Sequence, residues 1–139
     1  MEIKAKAFRI LDANINRASE GLRVMEEAAR FVLDKNKQTK RLKELRSKVR
    51  KLGQGLNIPL QHRNSREDVG RDSFTPSEAN RLSLADIFSA SAKRTQEALR
   101  VLEEFSKLVN LTAAKKFKKI RFAVYAIEKL LYDQIDRFE

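Results

Sequence analysis

A charged helical segment occurs twice in this chain, and the repeat constrains the fold more than any other feature. Residues 16–32 and residues 93–109 are identical at eight of seventeen positions. Five of these eight are charged: in the first copy they are Arg17, Glu20, Arg23, Glu26 and Glu27. Because substitutions at exposed positions are usually nearly neutral, the recurrence of the charges indicates a contact or a chemical role in addition to core packing.

Both copies have the hydrophobic spacing of an amphipathic helix, with apolar residues at intervals of three and four. The predicted buried faces are Leu11, Ile15, Ala18, Leu22, Met25 and Ala29 in the first copy and Phe88, Ala92, Leu99 and Leu102 in the second. The opposite faces combine charges with large apolar side chains, which are Val24, Phe31, Val101 and Leu108. Such a mixed face is typical of a contact surface or of a pocket wall, and we expect it to support a homodimer.

The repeated unit is a helical hairpin, because residues 40–46 and 115–121 also align with every apolar position in phase. We therefore predict one all-α domain, a helical bundle of two antiparallel hairpins with an approximate internal twofold axis. The first hairpin is expected over residues 7–53, a connecting loop over residues 54–80 and the second hairpin over residues 83–137.

Local signals predict where several helices begin and end. The first helix is expected over residues 7–33, and Asp34 or Thr39 is expected to cap the second. Residues 75–78 read Thr-Pro-Ser-Glu, which predicts a capping box with proline at the first helical position. Ser83 is expected to cap the third long helix.

Composition limits the kinds of partner. The net charge of +11 favours anionic partners such as phosphorylated metabolites, nucleotides or nucleic acid. Residues 35–51 alone hold nine basic residues and one acidic residue, but they lack the interleaved aromatic residues that readers of single strands use. No apolar run has the roughly 20 residues needed to cross a bilayer, and the first residues lack the apolar core of a secretory signal. We therefore expect a cytoplasmic protein without a membrane partner.

The residue types exclude several reaction classes. The four glycines form neither of the common phosphate-binding loops, and a chain with one histidine and no cysteine has few soft metal ligands. Arginines beside glutamates, and the loop residues Arg63, Arg66 and Asp68, are suited to binding oxyanions and Mg²⁺. Gly70 is expected to provide a turn with positive φ, and His62 is expected to be a surface or packing residue. Ion pairs on a solvated helix face would explain the repeated charges equally well.

Three segments, taken in order, resemble the helical domain that occurs alone or fused to the N-terminus of some bacterial thiamine-phosphate synthases. They are Asn14-x-x-Arg17-x-x-Glu20-Gly21-Leu22-Arg23-Val24-Met25-Glu26-Glu27, then Arg63-x4-Asp68-Val69-Gly70, then Arg94-x-x-Glu97-Ala98-Leu99-Arg100-Val101-Leu102-Glu103-Glu104. That family is associated with hydroxymethylpyrimidine phosphate kinase activity. The resemblance implies ATP and Mg²⁺, with the phosphorylated pyrimidine as acceptor in thiamine biosynthesis.

The resemblance also implies ten site residues, to which we assign roles as a hypothesis. The predicted catalytic residues are Glu20, Asp68 and Glu97. The predicted phosphate-binding residues are Arg17, Arg23, Arg63, Arg94 and Arg100. The predicted Mg²⁺ ligands are Asp68, Glu27 and Glu104.

Two departures from the family pattern and two other function classes accompany this interpretation. Ser91 stands where the first copy has Asn14, and we expect a stand-alone domain without an attached synthase. The first alternative is a non-catalytic helical module that binds an anionic metabolite or docks onto thiamine-phosphate synthase. The second is a basic helical protein that binds nucleic acid through residues 35–51.

Overall fold

The computed structural model describes residues 2–138, in which four long helices form an all-α bundle without strands. The elements, in chain order, are α1 (Glu2–Glu27), a π-helical turn (Ala28–Val32), α2 (Asn36–Gly55), a short 3-10 turn (Leu60–His62), α3 (Pro76–Ala79), α4 (Leu84–Ser106) and α5 (Leu111–Phe138). The predicted fold class is therefore confirmed. No helix among these residues combines the length and the apolar character needed to span a membrane.

The first helix begins five residues before the predicted start at residue 7. The hydrophobic pattern does not mark this extension, because Ile3 is exposed and contributes nothing to the core. At the other end, Leu33 donates its backbone N–H to the carbonyl of Ala28 at 3.1 Å, which closes the π-helical turn. Asp34 then reverses the chain with a φ of 52°.

The predicted cap of α2 is wrong. This helix begins at Asn36, and Lys35 in the cap position makes no side-chain bond to the helix. Thr39 lies within the first turn, where its hydroxyl donates to the carbonyl of Lys35 at 2.6 Å. Asp34 cannot act as the cap because it occupies the left-handed turn before Lys35.

The starts of α3, α4 and α5 are fixed by side-chain caps. Thr75 and Glu78 form the predicted capping box, and the Ser83 hydroxyl accepts from the N–H of Asp86 at 3.0 Å, as predicted. Asn110 caps α5 by accepting from the N–H of Ala113 at 3.0 Å. Each cap satisfies a backbone donor that the first turn of a helix leaves without a partner.

The core lies where α1 packs against α2 and α4, and α4 against α5. All the apolar residues predicted to face inward from the two copies are buried. The partner helices contribute Leu42, Leu45 and Val49 from α2 and Phe117, Ile120, Val124, Ile127 and Leu131 from α5. The internal twofold axis stays a prediction.

Each hairpin is also joined by a salt bridge between its two helices. Arg46 on α2 contacts Glu26 on α1 at 3.0 Å, and Arg121 on α5 contacts Glu103 on α4 at 2.8 Å. The second pair is the more deeply buried, and its hydrogen bond raises the pKa of Arg121. One of the repeated charges, Glu26 or Glu103, thus has a structural role in each copy.

Candidate functional site

The two copies of the charged motif face one cavity between α1 and α4, which we call the central cavity. Its volume is about 610 Å³. Five pairs of equivalent positions line it: Asn14 and Ser91, Arg17 and Arg94, Glu20 and Glu97, Gly21 and Ala98, and Val24 and Val101. Ser91 therefore lies at the cavity wall in the place equivalent to Asn14.

Close approach of the two helices at Gly21 forms the floor of this cavity. A Cβ atom added at Gly21 would lie 2.1 Å from Oγ1 of Thr95 and 3.0 Å from the carbonyl oxygen of Ser91. In the second copy Ala98 is buried with 3% of its surface exposed. Small residues at this position let α1 and α4 pack closely enough for both motifs to contribute to one wall.

A second cavity, which we call the loop cavity, lies between α1 and the segment after the 3-10 turn. It has a volume of about 710 Å³. Its charged lining residues are Lys6, Arg9, Asp12, Arg17, Glu20, Arg63, Glu67 and Asp68. Asn14, Arg17 and Glu20 line both cavities, so the two cavities adjoin along α1.

Three contacts attach this loop to the N-terminal half of α1. Arg63 donates two hydrogen bonds of 2.7 Å to the carboxylate of Asp12, and this contact raises the pKa of Arg63. Arg9 donates to the carbonyl of Asn64 at 2.9 Å. The ring of His62 stacks on Phe8 with 6.0 Å between centroids, so His62 packs against α1 as predicted.

The repeated charges that face the central cavity differ from the other repeated charges in having few partners. Among residues 2–138, Arg17, Glu20 and Glu97 make no ion pair or side-chain hydrogen bond. Arg94 has one weak contact, 3.9 Å from Glu78. Charged groups without protein partners at a cavity wall are available to bind a ligand.

Four of the predicted site residues form ion pairs along their own helices and line neither the central nor the loop cavity. Arg23 pairs with Glu27 at 2.9 Å, and Arg100 pairs with Glu104 at 3.3 Å. The hydrogen bond to Glu27 raises the pKa of Arg23, whereas a hydrogen bond from Lys107 lowers the pKa of Glu104. Arg100 borders a third cavity of about 360 Å³ between α4 and α5. For these four residues the structure favours surface ion pairing over a place in the site.

The predicted Mg²⁺ ligands are not brought together. Asp68 lies in the loop cavity and accepts from the N–H of Gly70 at 2.8 Å, whereas Glu27 and Glu104 belong to the ion pairs on α1 and α4. Within residues 2–138 no three acidic, histidine or cysteine side chains form a group that could hold a metal. The positive φ expected at Gly70 is also wrong, because the Asp68 side chain stabilises this turn without it.

Sequence reasoning missed four polar residues that α1 contributes to the loop cavity, Lys6, Arg9, Asp12 and Asn16, and three that the loop contributes, Asn64, Ser65 and Glu67. Lys6, Arg9, Asn16 and Glu20 recur at helical intervals, a signal that places them on one face of α1. Asp12 had no comparable signal, because its partner Arg63 is 51 residues away in sequence.

Only part of the predicted mixed face lies at the central cavity. Val24 and Val101 line the central cavity, whereas Phe31 and Leu108 are 65% and 63% exposed. The homodimer through this face stays a prediction. Most of the basic side chains of α2 are exposed on the outside of the bundle.

Comparison with known proteins places the chain among related sequences. The model of the ThiD2 family matches residues 9–130. A thiamine-phosphate synthase of Prochlorococcus marinus (strain AS9601) is 40% identical over 88% of the chain and 34% of its own length. Thiamine-phosphate synthases of Nostoc punctiforme and Rhodopirellula baltica are 38% and 42% identical over 94% and 86% of the chain, and over 36% and 32% of their own lengths. The chain thus spans about a third of the length of these relatives. No solved structure matches it.

Proposed function

The chain belongs to the ThiD2 family, and from that premise we propose that it transfers a phosphoryl group from ATP to hydroxymethylpyrimidine phosphate. Support for a place in thiamine biosynthesis comes from the relatives, which are named thiamine-phosphate synthases. Support for the kinase reaction comes from the resemblance of the three segments to a family with that activity.

One observation carries the proposal: the charges left without partners converge from both copies of the motif on adjoining cavities. Arg17, Glu20 and Glu97 are exposed, so their charges cost little when unpaired, and ion pairs there would contribute only about 0.2–1 kcal/mol each. Stability therefore does not explain why these charges recur. Arg17 lies at the junction of the two cavities, where a cation can contact two ligands at once.

In the proposed reaction an oxygen of the acceptor phosphate attacks the γ-phosphorus of ATP. The new oxygen–phosphorus bond forms as the bond from the γ-phosphorus to the bridging oxygen breaks, and ADP leaves. Phosphoryl transfer depends mainly on alignment and on neutralising negative charge. Arg17 and Arg94 would supply the positive charge, and Glu20 and Glu97 would orient the acceptor by accepting hydrogen bonds from its ring substituents.

We place the proposed magnesium site in the loop cavity, because the three ligands predicted from the sequence lie apart from one another. Mg²⁺ in kinases is typically held by one or two carboxylates together with substrate phosphates, not by a cage of protein ligands. Asp68, with Glu67 beside it in the cavity lining, would hold the ion there. The ion would supply further positive charge to the phosphates.

A non-catalytic module is the second candidate, because the cations that line the two cavities would bind a phosphorylated ligand whether or not transfer follows. Such a module would bind the phosphorylated pyrimidine without turnover. An ADP-release assay with ATP and the pyrimidine monophosphate distinguishes the two.

The test compares Arg17→Ala and Glu97→Ala with Arg50→Ala, which removes an exposed cation from α2. We expect turnover in the parent and in Arg50→Ala, and a loss of at least about a hundredfold in the other two, the usual scale for a transition-state charge contact. Helical melting should change little in all three. If the parent binds the pyrimidine phosphate but releases no ADP, the kinase proposal is wrong; if Arg17→Ala unfolds, the charge is structural.

A further inference from the structure

We infer that the loop cavity is the subsite for the nucleoside triphosphate and that the central cavity holds the smaller phosphorylated acceptor. The inference rests on the proposed phosphoryl transfer and names the ligand of each cavity. A phosphotransferase needs two different subsites, whereas a duplicated motif alone would give two similar ones.

The loop makes the two halves of the groove different. Arg63 and Asn64 contact Asp12 and Arg9 on α1. The positions equivalent to Arg9 and Asp12 in the second copy are Asp86 and Ser89, and Asp86 is instead used at the start of α4, where it accepts from the N–H of Leu82 at 3.1 Å. Loop residues between 63 and 69 therefore wall the loop cavity, whose other lining residues all come from α1, whereas Gly70, Ser73 and Glu78 line the central cavity between the two copies.

Three of the four cations that line the loop cavity lie along α1, whereas Arg63 lies on the loop. Lys6, Arg9 and Arg17 all lie on α1, and their positions span roughly 16 Å of helix axis at 1.5 Å per residue. None of the three pairs with a carboxylate of the described residues; Arg9 donates only to a backbone carbonyl. An extended polyphosphate with its nucleoside matches such a row of charges, whereas a single phosphate group would contact only one part of it.

The central cavity has a different character. Besides Arg17 and Glu20, which it shares with the loop cavity, its walls carry Arg94, the carboxylates of Glu78 and Glu97, and the apolar side chains of Val24 and Val101. This combination suits a flat ring that carries one phosphate, because the ring can pack on the valines while the phosphate contacts the arginine.

In this arrangement the phosphoryl group is transferred at the junction of the two cavities. Asn14, Arg17 and Glu20 line both cavities. A γ-phosphoryl group held at the end of the loop cavity would lie beside Arg17, and an acceptor phosphate in the central cavity would approach it from the opposite side. The bond to the β-phosphate's bridging oxygen breaks toward the loop cavity, and ADP leaves from there.

The experiment separates the Michaelis constants of the two substrates on the full chain. Lys6→Gln removes one phosphate contact of the loop cavity, and Val101→Phe narrows the central cavity; Lys40→Gln on α2 is the control. We expect Lys6→Gln to raise KM for ATP about tenfold, the equivalent of about 1.4 kcal/mol, and to leave KM for the pyrimidine phosphate unchanged. Val101→Phe should raise KM for the pyrimidine phosphate and leave KM for ATP unchanged.

Binding measurements keep the inference testable without turnover. Titration with the non-hydrolysable β,γ-imido analogue of ATP should perturb the NMR signals of residues 6–17 and 63–69, and Lys6→Gln should weaken this binding about tenfold. If the analogue binds in this way but no ADP is released, the kinase proposal fails and the nucleotide subsite stands. Turnover with the KM effects exchanged between the variants, or analogue signals confined to Val24 and Val101, would overturn the subsite assignment and leave the kinase proposal intact.

Discussion

The most direct test of the packing around the site is Gly21→Ala, because this glycine sets the distance between α1 and α4. The new methyl group would lie 2.1 Å from Oγ1 of Thr95, well inside van der Waals contact, and 3.0 Å from the backbone oxygen of Ser91. Thr95 is fully buried, and its hydroxyl already donates to the Ser91 carbonyl at 2.7 Å. Neither Thr95 nor the Ser91 carbonyl can move away without a loss of stability.

Two opposing effects decide the magnitude. Replacing glycine by alanine inside a helix gains about 1 kcal/mol of helix propensity. Against this, overpacking costs about 1–3 kcal/mol, occasionally more, and rotating Thr95 away would cost a further 1–3 kcal/mol or so for a buried hydroxyl without a partner. We expect a net loss of about 2 kcal/mol in the free energy of unfolding, which lowers Tm by about 8 °C for a domain of this size.

Gly55→Ala is the matched control, since nothing lies within 4 Å of a Cβ added there and Gly55 closes α2 without positive φ. It should gain about 0.5–1 kcal/mol. Thermal and urea unfolding followed by circular dichroism at 222 nm measures both variants. A Gly21→Ala protein as stable as Gly55→Ala would refute the close packing of α1 on α4.

Thr95 provides an internal check by a double-mutant cycle. Thr95→Ala removes the atom nearest to the new methyl group, so adding it to Gly21→Ala should restore about 1 kcal/mol relative to the additive expectation. Thr95→Val keeps a group of the same size at that place and should restore nothing. Additive effects in both cycles would mean that the contact with Thr95 is not the cause of the loss.

The remaining predictions concern the charges outside the two cavities. Glu103→Gln should lower the free energy of unfolding in urea by about 3 kcal/mol, because it leaves Arg121 buried without its carboxylate. Glu26→Gln should cost less, since Arg46 retains access to water. Equal losses in the two variants would contradict this reasoning. The pKa of the Glu104 carboxyl, measured by NMR, should lie below the ordinary value of a glutamate because Lys107 donates to it, and Lys107→Ala should raise this pKa; an unchanged pKa would exclude this contact in solution. Since the folded-state pKa of Glu104 is lowered, its contribution to stability is present above the unfolded pKa and is lost as the pH falls through the folded one. Light scattering at high protein concentration tests the homodimer predicted from the mixed face with Val24, Phe31, Val101 and Leu108, and a monomer would exclude it.

The helical bundle could be predicted from the sequence because the signals that indicate it are local. Intervals of three and four placed Leu11, Leu22 and Phe88 on buried faces, and the capping residues Thr75 and Ser83 marked two helix starts. These features depend only on neighbours within one or two turns. The π-helical turn and the left-handed Asp34 have no such local signal, and the first helix therefore ended differently from the prediction.

The candidate site was only partly accessible in the same way. The motif identified Arg17, Glu20 and Glu97 as candidates, and the structure places all three at the central cavity. The motif gave no means of separating these three residues from Arg23 and Glu104, which belong to positions that are also identical in the two copies. The contact of Arg63 with Asp12 depends on how the loop returns to α1, which no local pattern encodes.

Three kinds of charge recur in the two copies of the motif, and only the structure distinguishes them. Glu26 and Glu103 join the helices of each hairpin, so their loss would destabilise the fold. Arg23 and Arg100 pair with carboxylates one turn further along the same helix, where an exposed pair contributes little. Arg17, Glu20 and Glu97 have neither use within the described chain. Stability therefore does not account for their recurrence, and the cavity that they share with Arg94 is the physical reason to assign them to ligand binding.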